Sequence, residues 1–207
     1  VVTGFRWGLG GARKYYGIDP DLICYGKAIG GTGMPLSVVA GKRKIMKQLA
    51  SGGDVFFSST FGGETLSLAA AKAPLTILKS EPVIPHIRGM GKMWMDGFRE
   101  QAKERGLEEH ALVLGHPPRS VVKIKNLEGQ FDEGLRAVFM QETIKRGVMF
   151  GVPIFPSYSW QAEDVAVILK ATGDALDVVR RAVMDGDKFD VLNYLEGEMP
   201  KPIVLRR

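Results

Sequence analysis

One lysine stands in the most distinctive stretch of this chain. Asp19-Pro20-Asp21-Leu22-Ile23-Cys24-Tyr25 reads as the approach and body of a short apolar strand. Gly26-Lys27-Ala28-Ile29-Gly30-Gly31-Thr32-Gly33-Met34-Pro35 follows as a glycine loop. A lysine placed directly after an apolar strand begins its stem in the interior, and flanking glycines let the backbone pack against a bulky planar group. In a partly desolvated pocket the ammonium loses its proton more readily, and the neutral amine forms a Schiff base with an aldehyde. The plainer alternative is a lysine that faces solvent. A P-loop is excluded, because G-x-x-x-x-G-K-S/T has no match here and Lys27 is followed by Ala28.

The elements that must position Lys27 are short and separated by glycine. Residues 21–25 and 36–40 suit buried strands, a helix fits residues 42–50, and another runs from Gly63-Glu64 towards Leu78. Pro74 lies inside that second helix, where a missing N–H and a clash with the preceding turn predict a kink or break. From residue 82 the pattern changes. Ile87, Met90, Met93, Trp94 and Phe98 recur at helical spacing and read as core packing rather than a cofactor box, with Lys103, Arg105 and Gly106 as the stop. Extended segments follow at 111–114 and 120–125, then a helix at 133–146 ending at Gly147, then a loop rich in proline and aromatics. A last helix spans 162–184 with Ile168, Leu169, Thr172, Leu176, Val179 and Val183 on one stripe. The tail after Gly186 is charged and reads as an extended arm. The boundary falls near residues 80–90, giving a segment 1–85 and a small α+β domain 86–207.

Composition narrows the field. The chain has 207 residues, 45% of them hydrophobic and 25% charged, which excludes disorder and a disulfide scaffold. No apolar run is long enough for a membrane span. Cys24 is the single cysteine and points to a reducing, cytoplasmic home. His86, His110 and His116 lack partners at ligand spacing, so no metal site is expected. The net charge of +5 comes entirely from residues 1–85, which hold ten Lys/Arg against five Asp/Glu. That excess reads either as a solvated face or as a site for a small phosphorylated molecule. Nucleic acid is not expected as a partner, because no aromatics interleave the Lys42-Arg43-Lys44 cluster.

The lysine segment resembles that of the class III aminotransferases, pyridoxal-phosphate enzymes of fold type I, nearest in texture to the glutamate-1-semialdehyde aminomutase branch. Four further segments share the resemblance: Val1-Val2-Thr3-Gly4-Phe5-Arg6, Tyr16 to Asp21, Ser58-Ser59-Thr60-Phe61-Gly62-Gly63-Glu64-Thr65, and Arg146 to Phe150 with Pro156-Ser157-Tyr158-Ser159. The chain departs from the family in two places. Glu64-Thr65 stands where Asn-Pro is usual, which bears on substrate choice, and Trp160-Gln161 stands where the last helix usually opens with a His-Thr-like pair.

The resemblance implies an α/β fold, part of a large three-layer α/β/α domain with a mostly parallel sheet over 1–85, plus the small domain over 86–207. It implies pyridoxal 5'-phosphate held by Lys27 as a Schiff base, with the freed amine later shuttling a proton. It also implies that Thr60 grips the cofactor phosphate across a homodimer interface. The alternative for Thr60 is a plain N-cap or turn threonine. A small-molecule amino donor and an oxo acceptor would be the substrates, with an intramolecular aminomutase as the alternative reaction. Since the chain opens just after the family's Asp-Glu pair, it reads as a C-terminal half. The further alternative is therefore a catalytically silent truncated binding protein.

Overall fold

Glycine spacing breaks the first part of the chain into short pieces, while unbroken helical periodicity gives the second part long ones. The structure, a computed structural model, describes residues 1–30, 33–49, 52–151, 153–188 and 190–200. Gly31 and Thr32 of the glycine loop, and residues 201–207 of the tail, lie outside them. The chain divides into two units, Val1–His86 and Ile87–Arg207.

In the first unit, α1 (Gly11–Tyr16) precedes β1 (Leu22–Tyr25), a 3-10 turn at Lys27–Gly30, and β2 (Val38–Gly41). The strands pair antiparallel, with Leu22 opposite Gly41 and Tyr25 opposite Val38. Burial was expected for both, yet Leu22 and Val39 remain about half exposed, at 49% and 48%. Burial alternates along both strands, and the register puts the exposed residues Leu22, Cys24, Val39 and Gly41 on one face of the pair. The helix expected at 42–50 is a single turn, α2 (Arg43–Met46), continued by a 3-10 turn at Lys47–Leu49. The helix α3 (Thr65–Ser80) runs through Pro74 without the expected break. Ser67 and Ala71 on one side of the proline are buried, Leu75 on the other is half-buried, and this common face outweighs the lost hydrogen bond.

The second unit is built from α4 (Val83–Glu104), the hairpin β3 (Ala111–His116) and β4 (Arg119–Ile124), α5 (Glu133–Lys145) and α6 (Ala162–Met184). The hairpin is antiparallel and turns at Pro117-Pro118, between His116 and its partner Arg119. Ser120 and Ile154 exchange backbone hydrogen bonds at 3.1 and 2.8 Å, which brings the proline-rich loop alongside β4. The α4 stop is a Schellman turn. Gly106, at φ 65°, donates to Lys103 O at 3.0 Å, and Leu107 donates to Ala102 O at 2.8 Å. Asp132 caps α5 by accepting from Leu135 N at 2.9 Å, and Gln161 and Asp164 form a reciprocal capping box on α6.

Trp94, Phe98, Phe139 and Phe150 form the centre of this unit, and Trp94 Nε1 donates to Ser120 Oγ at 3.2 Å. Thr172, Leu176, Val179 and Val183 are buried as the stripe predicts. Met93 is not: it is 42% exposed, because it lies one residue from Trp94 and one residue is about 100° around a helix. The tail also differs from an extended arm. It forms 3-10 turns at Gly186–Lys188 and Val191–Asn193, and Tyr194 and Leu195 pack on the core. Gln141 Nε2 donates to Tyr194 O at 2.8 Å and accepts from Glu196 N at 2.7 Å through its own Oε1.

Candidate active site

The path to Lys27 is fixed at several points before the lysine itself. Asp19 accepts from Arg13 at 3.0 Å, and Lys42 at the end of β2 reaches Asp21 at 2.9 Å and Asp19 at 3.5 Å. The Arg13 hydrogen bond, with Lys42 nearby, holds the Asp19 carboxyl below its ordinary pKa. The Asp21 hydrogen bond and charge hold the Lys42 ammonium above its own. Lys42 N also donates to Asp21 O at 2.9 Å, so the ion cluster and the ladder agree on register. These charges are exposed and order the approach more than they stabilise it.

β1 ends at Tyr25, and Lys27 opens the 3-10 turn two residues later with φ 52°, a left-handed conformation that non-glycine residues rarely adopt. Ile29 and Gly30 are buried and anchor the turn, while Ile29 N donates to Gly26 O at 3.3 Å. The Lys27 side chain is exposed, and among the described residues its amine has no hydrogen bond or ion pair. In this chain the lysine is therefore reached from solvent rather than enclosed in a pocket. A groove of about 490 Å³ runs beside the turn, lined by Ile29, Leu36, Val38, Leu68 and Leu75. Ser67 Oγ, donating to Pro35 O at 3.4 Å, ties the start of α3 to the segment that leaves the glycine loop.

Thr60 lies four residues before Glu64, in an exposed turn where Gly62 N donates to Ser59 O at 3.0 Å and Glu64 N to Phe61 O at 3.3 Å. It is not an N-cap. That position belongs to Glu64, whose carboxylate accepts from Leu66 N at 2.8 Å and Ser67 N at 2.6 Å. The hydrogen bonds from Ser67, then that from Leu66, hold the Glu64 carboxyl below its ordinary pKa. The Leu66 and Ser67 N–H groups at the start of α3 are thus engaged by the chain's own anion, and they are not free for a phosphate. The hydroxyl of Thr60 and the N–H groups of Thr60, Phe61 and Gly63 have no partner among the described residues.

Sequence reasoning missed the capping role of Glu64, although the Glu64-Thr65 departure lies at that spot. It also missed the left-handed backbone of Phe5, at φ 63°, which no sequence signal announces. Among the described residues no group of three His, Cys, Asp or Glu could hold a metal, and no helix is long and apolar enough to cross a membrane.

The chain is similar to known proteins. A glutamate-1-semialdehyde 2,1-aminomutase of Thermomicrobium roseum is 39% identical over 115 residues, 56% of this chain and 26% of that protein. The aminomutase of Syntrophobacter fumaroxidans is 31% identical over 194 residues, 84% of this chain and 42% of its own length. The chain thus spans less than half the length of these curated relatives. Among solved structures, the FumI protein of Sphingopyxis sp. in its PLP internal aldimine form superposes with a TM-score of 0.77 at 24% identity. That match covers 90% of this chain and 43% of the other. An omega-transaminase from Sphaerobacter thermophilus gives 0.76 at 21% identity, covering 86% and 43%. These likenesses show that the fold is the one those proteins share. The family profile of the class-III aminotransferases matches residues 1–176, lysine turn and threonine turn included, and the chain belongs to that family.

Proposed function

We propose that this chain supplies the lysine-bearing part of a pyridoxal-phosphate enzyme that moves an amino group between an amino compound and an oxo-acid or aldehyde. The observation that carries the reading is Lys27: a primary amine with no partner among the described residues, on a left-handed residue, two residues beyond a strand end. Strained backbone at a reactive side chain is a mark of functional sites. Residues 1–85 would be part of the large cofactor domain and 86–207 the small domain.

The residues fit the cofactor. Pyridoxal phosphate, when bound, supplies an aldehyde that condenses with amines and a ring that draws electrons from the adjoining carbon. Lys27 Nζ is free to hold that aldehyde and, once released, to take up and return a proton at Nζ. Thr60 offers a hydroxyl donor to a phosphate oxygen. Because Glu64 already engages the start of α3, phosphate recognition falls to Thr60 and the unpartnered N–H groups of its turn.

A homodimer belongs to the same reading. Phe56, Phe57 and Phe61 beside Thr60 are 92%, 70% and 78% exposed, an apolar surface suited to a second subunit. The single free cysteine, Cys24, suits a cytoplasmic setting. The curated relatives favour a second reaction, intramolecular amino migration, since they are named aminomutases.

Reduction with borohydride in the presence of pyridoxal phosphate should label Lys27, read by peptide mapping. A label on another lysine, or none, overturns the assignment. Incubation with an amino donor separates the two reactions: a transaminase releases an oxo product into solution, and an aminomutase returns an isomeric amine.

A further inference from the structure

Two non-glycine residues among those described have left-handed backbones, Phe5 at φ 63° and Lys27 at φ 52°. They are far apart in sequence, yet one side chain links them. The rings of Phe5 and Tyr25 stack with centroids 6.2 Å apart and planes 25° from parallel. The neighbouring Gly4 comes close as well, since a Cβ there would lie 3.6 Å from Tyr25 Cδ1. Tyr25 is the last residue of β1, held opposite Val38 by the ladder, and only Gly26 separates it from Lys27.

We propose that Phe5 and Tyr25 form an aromatic clamp that positions the Lys27 amine; this rests on the reading of Lys27 as the reactive lysine. A left-handed aromatic residue is costly and persists only where its surroundings over-determine it. Here the conformation turns the Phe5 ring onto Tyr25. The ladder holds the Tyr25 backbone, and Phe5 stacks on its ring. The chain therefore leaves β1 in one direction, and the left-handed residue at Lys27 sets where the amine stem points. Without the Phe5 ring, residues 26–28 are free to relax to an ordinary backbone and re-aim the stem. Phe5 and Tyr25 touch no reacting atom and act only through Lys27.

Three variants test the clamp. Phe5→Gly removes the ring while keeping the backbone, because glycine accepts a positive φ without strain. Tyr25→Ala removes the other ring, and Tyr25→Phe retains it. Two readouts are taken on the whole protein: hydrogen exchange of the Lys27–Gly30 amides, and the borohydride-trapped yield of pyridoxal phosphate at Lys27 relative to Lys44 across pH. Phe5→Gly and Tyr25→Ala should each speed exchange at Ile29 and lower the relative Lys27 yield, both by about tenfold. Tyr25→Phe should match wild type in both, and exchange in 111–124 should not move. Unchanged exchange at Ile29 in Phe5→Gly overturns the clamp. If exchange responds while wild-type Lys27 takes no label, the clamp holds the turn and it is the cofactor reading that falls.

Discussion

The two units of this chain solve the burial problem differently. Ile87–Arg207 encloses four aromatic rings, with Trp94 5.4 Å from Phe98 and 5.1 Å from Phe150, and Phe139 5.6 Å from Phe150. Three helices and a hairpin close around them. Val1–His86 has only Trp7, Ile29 and Ala71 as buried apolar side chains among its described residues. Its strands have one neighbour each, and its apolar groove beside the lysine turn is open. Yet the residues that could do chemistry, Lys27 and Thr60, both belong to this thinner unit. Glycine explains the difference: it lets a backbone approach a ligand closely and supplies no side chain for a core. The second unit is built around a core, and the first leaves open the turn that carries the proposed site.

The largest expected effect tests that contrast directly. Trp94→Ala removes the central ring and its bond to Ser120, and should cost about 3–5 kcal/mol in the second unit, read by exchange of α4–α6 amides in denaturant. Leu68→Ala, at a 49% exposed position on the open groove, should change α3 exchange by less than about 0.5 kcal/mol. An equal loss at Leu68 would break the comparison, since it would mean that the groove is covered in the working protein.

A middle-sized effect sharpens it from the functional side. Thr60→Ala should weaken pyridoxal phosphate binding by about tenfold to a hundredfold, the value of one hydrogen bond to a charged acceptor. Melting of the apo-protein should not change, because Glu64 and not Thr60 caps α3. A lowered melting point with unaltered cofactor affinity would return Thr60 to a purely structural role. Pairing Lys27→Ala with Thr60→Ala chains in mixed dimers then locates the threonine. Half of wild-type activity is expected if each site takes Thr60 from the neighbouring subunit.

What the sequence made legible follows the same division. The last helix was readable to its ends, 162–184, because five apolar positions and Thr172 repeat on one stripe over about four turns and the 3.6-residue period leaves one solution. Gly106 and Gly147 marked helix ends because only glycine is at ease in the turns found there. In the first unit the strands were found but their burial was not. Alternation shows which face could be buried, and not whether anything packs on it. Glu64 went unread because glutamate is no favoured N-cap, and its capping depends on the fold of the preceding turn. The clamp at Phe5 was invisible for a stronger reason, because phenylalanine disfavours the backbone it adopts. Lys27 itself was legible because glycines flank it on both sides.

The smallest effect concerns acid and should separate the units by which amides respond. Glu142 is 6% exposed on α5, the most buried carboxylate among the described residues. Burial alone would raise its pKa. Hydrogen bonds from Arg146 NH1 at 2.7 Å, Gln141 Nε2 at 3.1 Å and Lys145 Nζ at 3.2 Å outweigh that and hold the carboxyl below its ordinary value of 4.5. Folding therefore depresses this pKa, so just below the ordinary value the unfolded chain binds the proton more readily than the folded one. The stabilisation is complete above about 4.5 and is lost as pH falls through the lower, folded value. Glu142→Gln should cost about 1–2 kcal/mol at neutral pH, discounted because Arg146 and Lys145 still reach water. As pH falls through the lower, folded value the variant should converge on wild type, flattening the acid limb for α5 and α6. In the first unit the fold also holds the capping carboxylate Glu64 below its ordinary pKa, so Glu64→Gln should flatten the acid limb of α3 and leave that of α5 and α6 unmoved. Melting followed by site-resolved exchange from pH 7 to pH 3 reads both units in one series. An acid limb in the second unit that is identical with and without Glu142 would show that the buried carboxylate does not carry it.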